Sequence, residues 1–222
     1  MPLLSLLCIA HAALQVHRAP IYIGESQAVV DAMETAFAGL DHHRIKVFSD
    51  EGQTTIDLMG KKVREEQGSQ VWAFDGRTVF VRDRVRHVFV SGRCLRHRAA
   101  EVVPAVTGRR VDVVTRALLF RRAPLAEALV DANVRIAGYV APGGVPCDIV
   151  RADASSVHTT IFVRRIDHLP QSVTTESLVN GHVVTTLTRN FQFHTIKASV
   201  FKLTKMPYEK LGPFPKLKEE KF

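Results

Sequence analysis

The sequence predicts an α+β fold, in which a curved antiparallel sheet of about 11 strands carries helices on its concave face. Three observations predict it: one amphipathic helix near the N-terminus, two blocks of alternating apolar and polar residues, and a helical stretch between those blocks. Short links containing glycine join successive strands, so neighbours in sequence must run antiparallel. A meander of this length closes or curls.

The first helix is predicted at residues 25–40, which read ESQAVVDAMETAFAGL. Ser26 is placed to cap its start and Gly39 to end it. An apolar stripe recurs at helical spacing, and its members are Val29, Val30, Met33, Phe37 and Leu40. This stripe needs a surface to cover, and the concave side of the sheet is that surface.

The strand predictions fall on either side of a helical insertion. Six strands are predicted first, at 44–48, 54–59, 61–66, 70–74, 77–82 and 86–90. Helices are then predicted at 94–103, 110–120 and 124–132, and five more strands at 134–140, 146–152, 157–166, 172–179 and 182–189. The tail from residue 205 contains three prolines and many lysines, and is typical of a surface strap or a frayed end.

Two hairpins have strong turn signals. Asp75-Gly76 joins two β-rich runs in QVWAFDGRTVFVRD, and a two-residue turn there would place Trp72 opposite Val79. Both faces of this hairpin are apolar. We therefore expect helices or a lumen on one face and neighbouring segments on the other. Asn180-Gly181 predicts the second hairpin in the same way.

The chain is basic, with 30 Lys and Arg against 22 Asp and Glu and a formal charge of +8. Such a balance favours contact with an anionic surface, either lipid headgroups or nucleic acid, or simply a solvated surface. The sequence contains no helix-turn-helix, aromatic RNP-like pair or zinc module. Specific nucleic-acid binding is therefore not expected.

The N-terminus predicts export. Residues 1–13, MPLLSLLCIAHAA, are too short an apolar run to cross a bilayer as a helix. They suit the apolar region of a signal peptide, and Ala10-His11-Ala12 fits a small-x-small cleavage pattern, although no Lys or Arg precedes the run. We expect residues 1–20 to be a signal peptide or a disordered terminus, with a buried strand or helix as the alternative. In an oxidising compartment Cys94 and Cys147 could pair, or they could be two unrelated buried thiols.

No pattern points to catalysis or to a metal. The sequence lacks CxxC, HExxH and GxSxG motifs and any glycine-rich loop with phosphate-binding spacing. Six acidic residues and histidines could be imagined in an active site, but none has the required spacing: Asp75, Asp83, His87, Glu101, Asp112 and His158. We expect a protein that is not an enzyme and that has no cofactor and no metal.

The order and texture of five segments resemble a known superfamily. They are VVDAMETAFAGL, VWAFDGRTVFVRD, LLFRRAPLAEALVDANVRIAGYV, PGGVPCDIVRAD and SVTTESLVNGHVVTTLTRNFQFHTIKASVFKLTKMPYEKL. Over residues 21–211 the chain resembles the periplasmic lipoprotein carriers (LolA/LolB-like), and most of all the uncharacterised LolA-like exported proteins. Residues 212–222 are then a basic tail. The short strands over 44–59 and the signal segment without positive charge depart from the family.

The resemblance implies a curved antiparallel half-barrel sheet whose apolar lumen receives acyl chains, a lid of helices, and a final strand at 200–203. The implied lining residues are Trp72, Val79, Val81, Leu178, Val183, Leu187, Phe191 and Phe193, and the implied lid residues are Val111, Val114, Leu118 and Leu119. For each of these residues, ordinary core packing is the alternative.

The resemblance also implies the partners, which are a lipid or an acylated protein and, transiently, an anionic membrane surface. The alternative function is an envelope-stress regulatory module that binds a protein partner on the same fold.

Overall fold

The computed structural model describes residues 20–50, 52–95, 98–108, 129 and 131–216. The described residues form thirteen strands, two α-helices and one short 3-10 helix. In chain order the elements are β1 (Ile21–Ile23), α1 (Ser26–Ala38), β2 (His43–Ser49), β3 (Gly52–Met59), β4 (Lys62–Gln67), β5 (Gln70–Phe74), β6 (Thr78–Asp83), β7 (Val88–Arg93), α2 (Ala99–Thr107), β8 (Asn133–Val140), the 3-10 helix (Pro142–Gly144), β9 (Cys147–Asp153), β10 (Val157–Arg164), β11 (Pro170–Val179), β12 (His182–Thr195) and β13 (Lys210–Leu211).

All thirteen strands belong to one open sheet, ordered β1-β8-β9-β10-β11-β12-β2-β3-β4-β5-β6-β7-β13. Only the two edge strands, β1 on β8 and β13 on β7, pair in parallel. We call β2–β7 the first wing and β8–β12 the second wing, which meet where β12 pairs with β2. The predicted class, a curved and largely antiparallel sheet with helices, is confirmed, and the two short edge strands are additional to the prediction.

One apolar cluster lies under the sheet and joins both wings to the helices. It contains the predicted stripe residues Val30, Met33 and Phe37 of α1, together with Val102 and Val103 of α2. The strands contribute the residues that face inward: Ile45, Val47, Ile56, Leu58, Val63, Trp72, Phe74, Val79, Val81, Val134, Val150, Ala152, Ile161, Val163, Val173 and Phe191. α1 lies against β1, β8 and β9, and α2 lies against β5 and β6 of the first wing. Because one cluster links both helices to both wings, the sheet must curve around it.

The N-terminus of α1 differs from the expected cap. Ser26 is the first helical residue and Glu25 is the cap, without a side-chain hydrogen bond. The Ser26 hydroxyl instead donates to the carbonyl oxygen of Val134 and accepts from the Ile23 N–H. This hydroxyl therefore ties α1 to the edge of the second wing. Gly39 does follow the helix, and its N–H donates to the carbonyl oxygen of Thr35.

The first predicted hairpin has the expected faces but a different register. Trp72 pairs with Val81 and Phe74 with Val79, so the loop has two more residues than expected. The cause is Asp75, whose side chain accepts the N–H groups of Arg77 and Thr78 and builds its own turn. A shift of two residues leaves every side chain on its predicted face.

The second hairpin turns at Asn180-Gly181 as predicted, with φ of 52° and 77° at the two residues. Val179 pairs with His182, and the register slips between Ser177–Thr185 and Leu178–Val183. Val184 is therefore an extra residue in β12. This bulge changes the face on which residues on either side of it lie.

A C-terminal strap, residues 199–216, crosses the convex face of the first wing. The final strand expected at 200–203 is absent from the structure, and the short strand β13 lies further along the chain. Leu203 packs with Val71 and Phe80 on the convex face of the first hairpin. The strap then pairs with β7 and places Phe214 against Gly92, beside the concave cluster. It is the segment that covers the second apolar face of that hairpin.

The helical insertion is described only in part. α2 begins and ends a few residues later than the predicted helix at 94–103. The predicted helix at 110–120 and most of the one at 124–132 lie outside the described residues, as does the predicted signal segment up to residue 19. Leu129 and Ala132 are described, and both are buried in the concave cluster.

Candidate functional site

The concave face gathers most of the predicted lining residues. Trp72, Val79, Val81 and Phe191 are at most 4% exposed and belong to one apolar cluster. Phe193 is half-buried beside them, and its ring meets Phe37 of α1 edge-on at 6.0 Å between centroids. These side chains come from β5, β6 and β12, so the curvature of the sheet brings together what the sequence separates.

The remaining three lining residues divide at the bulge of β12. Leu187 pairs with Thr175 and is half-buried. It lies on the concave side, because Arg189, two residues further along β12, pairs with the buried Val173. Leu178 and Val183 pair with each other beyond the bulge, on the opposite face of the ladder. Val183 is also 51% exposed. For these two residues the placement differs from the expectation, because an inserted residue reverses the alternation that predicted it.

The predicted lid residues, Val111, Val114, Leu118 and Leu119, lie outside the described residues. The described cover of this part of the concave face is α2. Val102 and Val103 are buried against the sheet, and Thr107 lies near Trp72. Pro104 stands inside α2, where it removes one backbone hydrogen bond of the helix.

Polar groups on the concave face were not predicted. Glu65 of β4 is 4% exposed and pairs with Ile56 and Trp72, both in the apolar cluster. A cavity of about 10 Å³, enough for one water molecule, lies between Glu65, Trp72 and Thr107. The alternation of Val63 and Glu65 in β4 is the sequence signal that could have placed this carboxylate inside.

Within the described part of the chain, two buried donors face the interior without a hydrogen-bond partner. They are Nε1 of Trp72 and Oγ1 of Thr159, which lie on β5 and β10. Trp72 is 3% exposed and Thr159 is fully buried. A buried donor without an acceptor costs about 1–3 kcal/mol, so a bound molecule that offers an acceptor would recover that cost.

The convex face of the first wing carries a polar groove of about 210 Å³. Its side chains are Arg44, Lys46, Thr55, Asp57, Arg64 and Glu66. Arg44 donates to both oxygens of Asp57, at 2.6 and 2.9 Å. Burial by itself raises the pKa of Asp57, but hydrogen bonds from Arg44 and Ser199 and the charge of Arg64 outweigh burial and hold the pKa below its ordinary value.

Cys94, directly after β7, and Cys147, at the start of β9, are both free thiols, and the pairing that the sequence left open is not formed. Burial raises the pKa of Cys94 to about 11, so the thiolate is scarce at neutral pH. Burial also raises the pKa of Cys147. Neither thiol has the lowered pKa of a reactive cysteine.

Among the described residues, no group of three His, Cys, Asp or Glu side chains is arranged to hold a metal ion. The helices in the described part of the chain are too short or too polar to cross a membrane.

Comparison with known proteins gives structural likenesses only. No family model matches the chain. No curated protein matches it in sequence. Solved structures that resemble it include an uncharacterized conserved protein from Thermus thermophilus, with 12% identity, a TM-score of 0.45, and coverage of 79% of this chain and 90% of that one.

Two other similar structures are those of MucB and of a LolA superfamily protein. MucB from Pseudomonas aeruginosa, solved in complex with MucA, is 14% identical with a TM-score of 0.40. The match covers 79% of this chain and 59% of that one. A LolA superfamily protein from Nitrosomonas europaea is 9% identical with a TM-score of 0.33, over 80% of this chain and 97% of that one. A member of the superfamily that the sequence resembles is thus among the similar structures. This chain spans about three fifths of the length of MucB.

Proposed function

We propose that this protein binds the acyl chains of a lipid or of an acylated protein on the concave face of its sheet, in the cell envelope, without catalysing a reaction. The observation that carries the proposal is the single apolar cluster shared by α1, α2 and both wings. The half-buried Phe193 packs against this cluster, and the half-buried Leu187 lies further along the same face of β12, beyond Arg189. An acyl chain lying across Phe193 and Leu187 would replace water on apolar side chains.

The free energy available is sufficient for useful binding. Each buried methylene contributes about 0.8 kcal/mol, so eight methylenes contribute about 6 kcal/mol before the costs of ordering the chain. The unpartnered Nε1 of Trp72 adds a hydrogen-bond donor that an ester or amide carbonyl of the ligand can satisfy. The apolar side chains and the Trp72 donor that provide these two contributions both lie on the concave face.

Entry of a chain requires a cover that opens at small cost. α2 has nine residues, contains Pro104, and buries only a few apolar side chains. A short helix weakened by an internal proline opens more easily than α1, which has thirteen residues and no proline. We therefore assign the moving cover to α2, together with the predicted lid residues Val111, Val114, Leu118 and Leu119.

Export of the protein is part of the proposal. The apolar residues 1–13 are expected to direct the chain out of the cytoplasm, and the formal charge of +8 would attract it to an anionic membrane surface. Contact with such a surface would place the protein where acyl chains are taken up and released.

The bulge in β12 provides a matched test of the proposal. Leu187→Asp places a charge on the concave side, whereas Val183→Asp places the same charge on the opposite face of the same strand. With a fluorescent fatty-acyl probe, we expect Leu187→Asp to weaken binding at least about tenfold and Val183→Asp to leave it unchanged. Circular dichroism and thermal melting check that both variants are folded.

Native mass spectrometry of the protein from its own host gives the second measurement. Copurified lipid or acylated peptide supports the proposal. A bare protein that also ignores acyl probes, or an equal loss of binding in both variants, would contradict it.

A second candidate is a regulatory module that binds a protein partner. The observation that favours it is the absence, in the described part of the chain, of a strand beside the first half of β12 on the side opposite β11.

A further inference from the structure

β12 is longer than the strands on either side of it. It runs from His182 to Thr195, and β11 pairs with its first part through Asn190. β2 pairs only with its last part, from Asn190 to Thr195. We call residues 182–188 the open edge, because no described strand pairs with them on the β2 side. At about 3.3 Å per residue this edge is about 20 Å long.

The direction of the backbone groups follows from neighbouring hydrogen bonds. The N–H of Ile196 donates to the carbonyl oxygen of His42, on the β2 side. Backbone groups alternate sides along a strand, so those of Thr188 and Thr186 turn to the same side. The hydroxyls of Thr174 in β11 and Thr188 in β12 lie 3.1 Å apart. This closeness is expected for two opposite residues whose backbones do not hydrogen-bond to each other. Two donors and two acceptors therefore face outward in one row.

The side chains along the open edge share a chemistry. None of residues 182–188 is Asp, Glu, Lys or Arg, and the only titratable group is His182. Val183 and Val184 are 51% and 56% exposed, and Thr185 and Thr186 are exposed as well. Natural sheets protect exposed edges with charges, prolines or bulges. Here only the bulge at Val184 is present, and it leaves the run Thr185–Thr188 regular.

We propose that the open edge is a docking site for an extended segment of another polypeptide, which adds to the sheet as a strand beside β12. A row of alternating donors and acceptors is matched by the backbone of a polypeptide and by no lipid or small anion. The neutral, β-branched edge fits a segment that is itself neutral and β-branched, because a charged residue opposite Thr or Val would gain no partner. The added strand lies in line with β2, whose last residue is Ser49.

The geometry also supplies a variant that removes the edge and spares the fold. The N–H of Thr186 takes no part in the ladder with β11, so Thr186→Pro removes an outward donor and blocks approach without breaking that ladder. Thr186→Val keeps the N–H and changes only the side chain. The two substitutions therefore separate backbone pairing from side-chain contact.

The test uses a fluorescein-labelled, C-terminally amidated peptide of four Thr-Val repeats, with fluorescence anisotropy as the measurement. We expect wild-type protein and Thr186→Val to bind it alike, and Thr186→Pro to bind it at least about tenfold more weakly. The same peptide with a central proline is expected not to bind. Binding should be nearly the same in low and high salt, because neither partner carries charge at the contact.

Several outcomes would overturn the proposal. They are the absence of binding at millimolar protein, equal binding by Thr186→Pro and wild type, or competition by a fatty-acyl probe that would place the peptide on the concave face. Analytical ultracentrifugation tests whether a second copy of this chain occupies the open edge. A concentration-dependent dimer that Thr186→Pro abolishes would assign the edge to a second copy of this chain instead.

Discussion

The two wings of the sheet differ in how many of their faces are buried. In the first wing, β5 and β6 bury four and five consecutive residues, so both faces of this hairpin are shielded from water. In the second wing, β10 alternates buried and half-buried residues along its length. The difference follows from the strap, which crosses the first wing only, at positions that contact Asp57, Phe80, Arg82 and Gly92.

The outer face of the second wing remains polar and solvated. Arg151 and Asp153 form an ion pair at 2.8 Å with both side chains partly exposed, and Arg135 and His158 lie nearby. The first wing instead has a buried ion pair, in which Arg82 of β6 binds Glu209 of the strap. A strand that is apolar on both faces therefore indicates a cover, even when that cover lies far away in sequence.

Loss of the buried ion pair is expected to have the largest effect on stability. Glu209→Ala leaves the Arg82 guanidinium buried without its carboxylate, which costs about 3–5 kcal/mol in the free energy of unfolding. Urea denaturation measures this. The double variant Arg82→Met with Glu209→Met should regain part of the loss, since no charge is then buried.

The second wing supplies the control for that prediction. Arg151→Gln breaks a partly exposed pair and should cost less than about 1 kcal/mol. Equal losses for Glu209→Ala and Arg151→Gln would mean that the strap contributes no more than an ordinary surface contact.

An intermediate effect is expected from Asp57, which receives a hydrogen bond from Ser199 of the strap. Asp57→Asn should cost about 2 kcal/mol at pH 7, because charged hydrogen bonds to Arg44 are lost. The folded-state pKa of Asp57 lies below the unfolded value of about 4, so its contribution is complete above pH 4 and is lost as the pH falls through the folded pKa.

Unfolding free energies at pH 7, 4 and 3 check this dependence. Asp153→Asn in the second wing is the matched variant, since its pKa is also lowered but its side chain is 28% exposed, and we expect a smaller difference. A difference between wild type and Asp57→Asn that is constant with pH would exclude the charge as its source.

Among the contacts of the strap, the smallest effect is expected at its end. A Cβ atom on Gly92 would overlap with the ring of Phe214, so Gly92→Ala should displace that ring at a cost of about 1–2 kcal/mol. In a Phe214→Ala background the same change should cost almost nothing. An equal cost in both backgrounds would show that the two residues are not coupled.

Prediction from sequence succeeded where local pattern decides structure. The stripe of α1, both hairpins and the inward faces of β5 and β6 follow from spacing and turn residues that are adjacent in the chain. It failed for the register at Asp75, where a side chain built its own turn, and for Val183, where one inserted residue reversed the faces. It also placed a strand at 200–203, where the chain instead forms part of the strap.

Part of the geometry of the candidate site was predictable. Trp72, Val79, Val81 and Phe191 share the concave face because alternation within a strand fixes which side chains face the core, and their role in lining a binding site stays a prediction. The burial of Glu65 was not predicted, although its alternation with Val63 in β4 carries that signal. The open edge of β12 was not predicted either, because it depends on which strand lies beside which and on where each strand ends, which are not local properties.

The sequence by itself determined α1, the two hairpins and most of their inward faces, since periodicity and turn chemistry act over a few residues. Only the tertiary structure decided the cover of the convex face, the partner of Arg82 and the length of β12 left unpaired. These features depend on contacts between segments more than 100 residues apart, such as Arg82 with Thr204 and Glu209. The free energy of such contacts is gained only once the sheet has brought the segments together.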